Sequence, residues 1–168
     1  MTKKKDFSGP KRDVMDVEVT DNSPYRVELY FYGNIFPKKN SKRVFWHTVL
    51  PSENYVQRHK IMMNRLQWIE WQYKYFPCKI LIYSIAWNKT KWDVDNMVTS
   101  LFDLFTDVGL LPDDNKFVVS ELYAKNIWYI KNCPITRVII TNVNEQLYDD
   151  STDHKLEDLK KYKIYLNY

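Results

Sequence analysis

Six aspartates in a short central segment form the feature of this sequence that most directly points to chemistry. The segment runs from Lys91 to Lys125, and its acids are Asp93, Asp95, Asp103, Asp107, Asp113 and Asp114. Asp93 and Asp95 are two residues apart, so in an extended segment their side chains point to one side of the chain. The Asp113–Asp114 pair follows an apolar stretch and a turn. We expect that stretch to return the chain toward its starting edge, where three carboxylates can converge from separate elements.

Converging carboxylates favour the binding of a divalent cation. Like charges held close together raise each other's pKa, and a cation relieves that repulsion. Magnesium prefers oxygen ligands and keeps several waters, so two or three aspartates are a typical protein contribution. Such an ion polarises a phosphate and lowers the pKa of a bound water, which is the chemistry of phosphodiester hydrolysis. The alternative interpretation is that the acids form a solvent-exposed face without chemical function.

A helix must lie between the two groups of aspartates. The sequence predicts it from about Asp95 to Asp107, with Asp93 as its N-cap. Gly109 is a suitable C-terminal stop, and Pro112 prevents continuation. The apolar stripe of this helix consists of Met97, Leu101, Leu104, Phe105 and Val108.

The rest of the chain predicts one α+β domain, a small mixed β-sheet with two main helices. The first helix opens at Pro51 and extends to about Tyr75, with apolar residues at helical spacing. Short apolar or alternating runs predict strands. These strands are expected at Tyr25–Tyr32, Val44–Val49, Lys79–Trp87, Phe117–Tyr123 and Thr136–Val143.

Composition and charge restrict the classes of function. A chain of 168 residues suits one domain. The net charge of +4 includes a tail from Asn144 with six acids and four lysines, so the preceding residues carry +6. A basic body of this kind is compatible with a polyanionic partner. The aromatic excess, 16% of residues, is expected mainly to serve core packing.

Several other classes of protein are disfavoured because the sequence lacks their characteristic patterns. Its two cysteines and three histidines have no paired spacing, so we expect no structural zinc site. The chain has no run of 18 apolar residues and no hydrophobic stretch behind its N-terminal charges. We therefore predict no signal peptide, no membrane span and a cytoplasmic location.

The aspartate segment resembles the RusA-type Holliday-junction resolvases. The family pattern is close to D-x-D-N-x-x-K-x-x-x-D-x-L, then a glycine, then D-D, then a strand ending in lysine. The spacing from Asp93 to Asp114 matches this pattern without a gap, and one residue is inserted before the final lysine. The matching positions are Asp93, Asp95, Asn96, Asp103, Gly109, Asp113, Asp114 and Lys125. Upstream, FPKKNSKR is similar to the family's substrate loop and PSENY to the beginning of its first helix.

The resemblance implies a structure-selective endonuclease that resolves four-way DNA junctions as a homodimer, in a bacterial or prophage setting. It implies Mg²⁺, with Mn²⁺ as an alternative, held by the catalytic carboxylates Asp93, Asp95 and Asp114, with Asp113 as a helper. The domain would span residues 24–143, after a flexible basic arm (1–23) and before an acidic, mixed tail (144–168). The cations expected to contact DNA phosphates are Lys38, Lys39, Lys42, Arg43, Lys91, Lys116 and Lys125.

One departure from the family pattern concerns the helix lysine, which is Thr99 here. Asp95, Thr99 and Asp103 lie one turn apart on one helix face, which we expect to border the metal site. Threonine supplies no cation, so activity is reduced, uses Lys91, Lys116 or Lys125 instead, or is lost while DNA binding remains. Two alternatives therefore stay open: a junction-binding protein of this fold with little cleavage, and a phage interaction protein with an exposed acid cluster.

Overall fold

The computed structural model describes residues 16–35, 42–45, 48–86, 94–129 and 134–145. Within these residues the chain forms two helices and seven strands, which confirms the predicted α+β class with its small mixed sheet. Their bounds are β1 (Asp16–Asn22), β2 (Arg26–Tyr32), β3 (Lys42–Phe45), β4 (Thr48–Pro51), α1 (Glu53–Leu66), β5 (Cys78–Ala86), α2 (Val94–Asp107), β6 (Val119–Tyr129) and β7 (Ile135–Asn142).

Five of the strands form one sheet in the order β1-β2-β7-β5-β6. Strands β5 and β6 run parallel, with Cys78 opposite Val119 and Ala86 opposite Tyr129. The other neighbours are antiparallel. A parallel pair needs a crossover connection, and α2 supplies it. Helix α2 therefore runs back from the Ala86 end of β5 toward its Cys78 end.

The main core lies between the two helices and one face of the sheet. Alternate strand residues point into it, as the period of two requires. The predicted stripe of α2 is buried against them, since Leu101, Leu104 and Phe105 are fully buried and Met97 and Val108 nearly so. The strands contribute Val27, Leu29, Phe31, Cys78, Ile80, Ile82, Val138 and Ile140.

The opposite face of the sheet carries a charged cluster centred on Glu28. Its carboxylate accepts hydrogen bonds from Arg137 at 2.6 Å, from Arg26 at 2.8 Å and from the Tyr30 hydroxyl at 2.9 Å. Burial raises the pKa of Glu28, but the charge of Arg137 and these hydrogen bonds outweigh it, so the pKa is lowered. The ionised carboxylate therefore stabilises the contact between β2 and β7.

Strand β1 corrects the predicted extent of the N-terminal arm. Residues 1–23 were expected to be flexible, yet Asp16–Asn22 pairs antiparallel with β2. Val17 and Val19 pack against the core at alternate positions. The prediction failed because these two apolar residues are flanked by charges and carry a weak local signal. The rest of the predicted arm and residues 146–168 of the predicted tail lie outside the described residues.

Helix α1 is shorter than predicted, ending at Leu66 instead of about Tyr75. The following segment turns and brings Trp71 and Tyr73 into the core. The indole of Trp71 donates to the Val108 carbonyl oxygen at 3.2 Å, so its partner is the end of α2. These tertiary contacts replace the continued helix that the apolar spacing had indicated. Further along, β6 begins at Val119, later than expected.

The hairpin β3–β4 takes the place of the one short strand predicted at Val44–Val49. Arg43 pairs with Leu50 across it. The hairpin ends at Pro51, and the Ser52 side chain then caps α1 by accepting from the Tyr55 amide at 3.2 Å. Within the described residues, no helix is long and apolar enough to cross a membrane.

Candidate functional site

The first group of acids lies where α2 begins. Asp95 is exposed on the first turn, whereas the adjacent Asn96 is buried. The Ser100 hydroxyl, also buried, donates to the Asn96 carbonyl oxygen at 3.0 Å. Asp93 lies outside the described residues, so its predicted capping and metal-binding roles stay predictions. Asn96 thus anchors this turn in the protein, while the neighbouring Asp95 presents its carboxylate to solvent.

The second group of acids shapes the turn before β6. The Asp113 carboxylate accepts from the Asp114 amide at 2.7 Å and from the Asn115 side-chain amide. These hydrogen bonds lower the pKa of Asp113. Asn115 in turn accepts from the Phe117 amide at 2.8 Å and, through its carbonyl oxygen, from the Val119 amide at 2.9 Å. Asp113 therefore has a structural role in the turn, and Asp114 beside it is exposed.

The fold places these two groups at opposite ends of α2. The helix has 14 residues, a length of about 20 Å at about 1.5 Å per residue. The second group lies near its C-terminal end, because the Cys78 amide donates to the Val118 carbonyl oxygen at 2.7 Å. Asp95 lies at the other end, toward Ala86. The chain thus returns to the edge where β5 begins, not to the edge where it ends, and Asp95 and Asp114 are not neighbours in the described residues. The joint metal binding by Asp93, Asp95 and Asp114 stays a prediction.

The described carboxylates do not by themselves form a complete metal site. Among the residues that the structure describes, no three histidine, cysteine, aspartate or glutamate side chains are grouped so that they could hold a metal ion. That set includes Asp95, Asp113 and Asp114, while Asp93 lies outside it. Asp95 and the Asp113–Asp114 pair thus lie toward opposite ends of α2.

The remaining two acids of the segment hold α2 to α1. The Tyr55 hydroxyl is hydrogen-bonded to Asp103; burial, together with the charges of Asp103 and Asp107, raises the pKa of Tyr55 to about 12. The Nε2 atom of His59 lies 2.7 Å from Oδ2 of Asp107. The rings of Tyr55 and His59 stack at 5.4 Å. Sequence reasoning missed this contact. Tyr55 and His59 are four residues apart on α1, and Asp103 and Asp107 are four residues apart on α2, so each pair shares one helix face.

Thr99 lies on the same face as Asp103, one turn toward the beginning of α2. Its hydroxyl donates to the Asp95 carbonyl oxygen at 2.8 Å. Because Tyr55 faces Asp103 one turn further on, Thr99 is level with the beginning of α1, where hairpin β3–β4 ends. The helix face formed by Asp95, Thr99 and Asp103 was predicted to border a metal site. It contacts α1 at Asp103, and its Asp95 end lies nearer the hairpin.

The cations predicted to bind DNA do not form one cluster among the described residues. Lys116 is exposed in the turn beside Asp114, with its Nζ atom 5.2 Å from the centre of the Phe117 ring. Lys125 is exposed on β6. Lys42 and Arg43 belong to β3, and only their backbone is described. Lys38, Lys39 and Lys91 lie outside the described residues.

Comparison with protein-family models found no match, and comparison with curated proteins found none either. The resemblance to RusA-type resolvases therefore depends on the aspartate segment itself and stays a hypothesis about this chain.

Proposed function

We propose that this chain is a magnesium-dependent, structure-selective endonuclease that resolves four-way DNA junctions as a homodimer. The observation that carries the proposal is the gap-free match of Asp93 to Asp114 with the RusA-type pattern. The alternative, a solvent-exposed acidic face without chemical function, is less well supported, because the acids of the segment lie in different environments. Asp103 and Asp107 contact α1, Asp113 shapes a turn, and Asp95 and Asp114 face solvent.

The two exposed acids of the motif, Asp95 and Asp114, sit on well-anchored backbone. Buried Asn96 fixes the turn that carries Asp95, and the Asn115 hydrogen bonds fix the turn that carries Asp114. Rigid presentation of a carboxylate is what a metal-dependent site requires. The basic charge of residues 1–143 would draw the DNA backbone to these acids.

The direct test is nicking of a labelled four-way junction with and without magnesium. We expect cleavage by the native chain, and loss of cleavage but retained junction binding for Asp95→Asn and Asp114→Asn. Asp16→Asn is the matched control, since Asp16 is exposed on β1 at the other edge of the sheet. Its pair with exposed Arg65, at 3.6 Å, contributes little to stability. Native-level cleavage by both motif variants would refute the assignment of these carboxylates.

A second candidate, a junction-binding protein with little cleavage, is favoured by Thr99. The family lysine at this position would bring a cation near the phosphate, whereas the Thr99 hydroxyl is bonded to the helix backbone. Tight junction binding that is unaffected by magnesium, without nicking, would identify this function. Absence of DNA binding at low salt would instead leave the acids as an interaction surface.

A further inference from the structure

The face of the main sheet that points away from the helices, called the outer face below, has a hydrophobic cluster of its own. Leu81, Tyr83 and Ile139 form this cluster, and they are 7%, 4% and 4% exposed. They alternate along β5 and β7 with residues of the main core, so they lie on the opposite side of the sheet. Ile139 pairs with Leu81 on one side and with Glu28 on the other. The cluster therefore lies in the middle of the sheet, beside the charged cluster around Glu28.

The burial of this cluster requires a cover above the sheet. Side chains of a strand stand roughly perpendicular to the sheet, so the ring of Tyr83 would be accessible from above if nothing lay over it. Within the described part of the chain, α1 and α2 pack in the main core on the other side, and hairpin β3–β4 makes no extensive contact with β5 or β7. Because the burial exists within a single chain, the cover is a segment of that same chain outside the described residues.

The C-terminal segment, residues 146–168, begins at the right place to supply this cover. The Glu145 amide donates to the Asn142 carbonyl oxygen at 3.0 Å, so the chain turns directly after β7. The Glu145 carboxylate then lies 3.9 Å from the guanidinium of Arg26. That guanidinium also donates to Glu28 on the outer face, at 2.8 Å. The chain is therefore directed toward the outer face where the C-terminal segment begins.

The composition of the C-terminal segment also favours it over the other segments outside the described residues. Of its 23 residues, nine are apolar or aromatic: Leu147, Tyr148, Leu156, Leu159, Tyr162, Ile164, Tyr165, Leu166 and Tyr168. Residues 1–15 contain four, and they lead into β1, two strands away from the strand that carries Ile139. The internal segments have at most seven residues each and are held at both ends.

The spacing of the apolar residues suits the dimensions of the sheet. Leu156, Leu159, Tyr162 and Leu166 recur at helical intervals, which predicts one apolar helix face. A helix over residues 156–166 is about 16 Å long, and four strands of a sheet span about 14 Å. The preceding residues carry Asp149, Asp150 and Asp153, whose charges are opposite to those of Arg26 and Arg137 on the outer face.

We propose that residues 146–168 fold back over the outer face and cover Leu81, Tyr83 and Ile139 with their apolar residues. The sheet then has a hydrophobic layer on each side, the helices on one and the C-terminal segment on the other. The centre of the outer face is consequently closed to any other partner, including nucleic acid. This inference depends on the burial of the outer face and is independent of the proposed function.

Photo-crosslinking in the full-length chain identifies the segment that covers the outer face. Tyr123 is a suitable position for p-benzoyl-phenylalanine, because it is 45% exposed and its ring centre lies 5.9 Å from that of Tyr83. Leu122 is the matched control. It is 47% exposed but lies on the other face, opposite Ile80 of the main core. After irradiation and proteolysis, mass spectrometry should find residues 146–168 joined to position 123 and not to position 122.

Isotope labelling separates contacts within a chain from contacts between chains. In an equimolar mixture of ¹⁴N-labelled and ¹⁵N-labelled protein, the crosslinked peptides should each carry a single label. A crosslink from position 123 to residues 1–15, a product with mixed labels, or equal crosslinking from positions 122 and 123 would overturn the proposal.

A substitution in the C-terminal segment tests whether its apolar residues hold it in place. Leu159→Ala should lower the equilibrium constant for folding at least about tenfold in urea unfolding, as removal of a buried leucine side chain does. Lys161→Ala is the control, since Lys161 lies on the opposite side of the predicted helix. Leu159→Ala should also reduce the yield of the crosslink from position 123. A stability and a crosslink yield equal to those of the control would contradict the proposed packing of this helix face.

Discussion

Replacing Glu28 with glutamine tests whether the charged cluster on the outer face of the sheet stabilises the fold. The Glu28 side chain is 12% exposed and that of Arg137 18%. Hydrogen bonds to a charged group contribute about 1.5–3 kcal/mol each, and removing one member of a buried ion pair costs about 3–5 kcal/mol. Because Arg26 is 26% exposed and can be rehydrated, the loss should fall somewhat below the range for a fully buried pair. We expect Glu28→Gln to reduce the free energy of unfolding by about 2–3 kcal/mol.

The pH dependence of this loss follows from the lowered pKa of Glu28. A carboxyl whose pKa is lower in the folded state binds its proton more readily when unfolded. Its contribution to stability is therefore complete above its unfolded value, near 4.5, and disappears as the pH falls through the folded value. The native chain and Glu28→Gln should thus differ most at neutral pH and converge in acid.

Urea unfolding of both proteins from neutral to acidic pH measures this difference. Glu70→Gln is the matched control, because Glu70 is exposed and exposed substitutions change stability by at most about 0.5 kcal/mol. A loss at neutral pH as small as that of the control would refute the argument from burial and hydrogen bonding. A loss that is constant with pH would show that packing of the side chain, and not its charge, stabilises the fold.

Three further predictions concern α2. Thr99→Lys should raise single-turnover cleavage by about a hundredfold if the native site lacks the cation that the family lysine supplies. No gain in this variant, with a large loss in Lys116→Ala or Lys125→Ala, would mean that another lysine supplies that cation. A double-mutant cycle of His59→Gln with Asp107→Asn should give a coupling of about 0.5 kcal/mol, since Asp107 is 51% exposed, and a coupling near zero would exclude a stabilising pair. Gly109→Ala should cost about 1 kcal/mol in thermal unfolding, because φ is +72° and an added Cβ meets nothing within 4 Å; Gly109→Asn should cost less, and equal losses would refute a purely conformational cause.

Local sequence patterns predicted a secondary-structure element well where the residues of that element themselves determine its bounds. The beginning and end of α2 followed from its apolar stripe and from Gly109, which takes the left-handed conformation expected of a helix stop. The end of α1 was missed because Trp71 continues an apolar spacing, although its partner lies at Val108, on another element. No local pattern reveals that contact.

The sequence indicates which residue types could form the candidate site, but it did not indicate how Asp95 and Asp114 are arranged. Sequence reasoning identified Asp95 and Asp114 but placed them together, because it did not consider which end of β5 the next strand would begin from. The strand–helix–strand order contained that signal, since a crossover helix favours a parallel strand. A parallel β6 begins beside Cys78, far from Asp95.

Backbone hydrogen bonds fix both ends of the connection between α2 and β6, so the number of residues in it determines where Asp114 lies. At one end the Leu110 and Leu111 amides both bind the Phe105 carbonyl oxygen, at 2.9 and 3.1 Å. At the other end the Asn115 carbonyl oxygen binds the Val119 amide. Surface loops usually accept insertions, but one extra residue here would displace Asp114 by up to about 3.6 Å. Among natural variants of this chain, insertions should therefore be rare between Gly109 and Asp114.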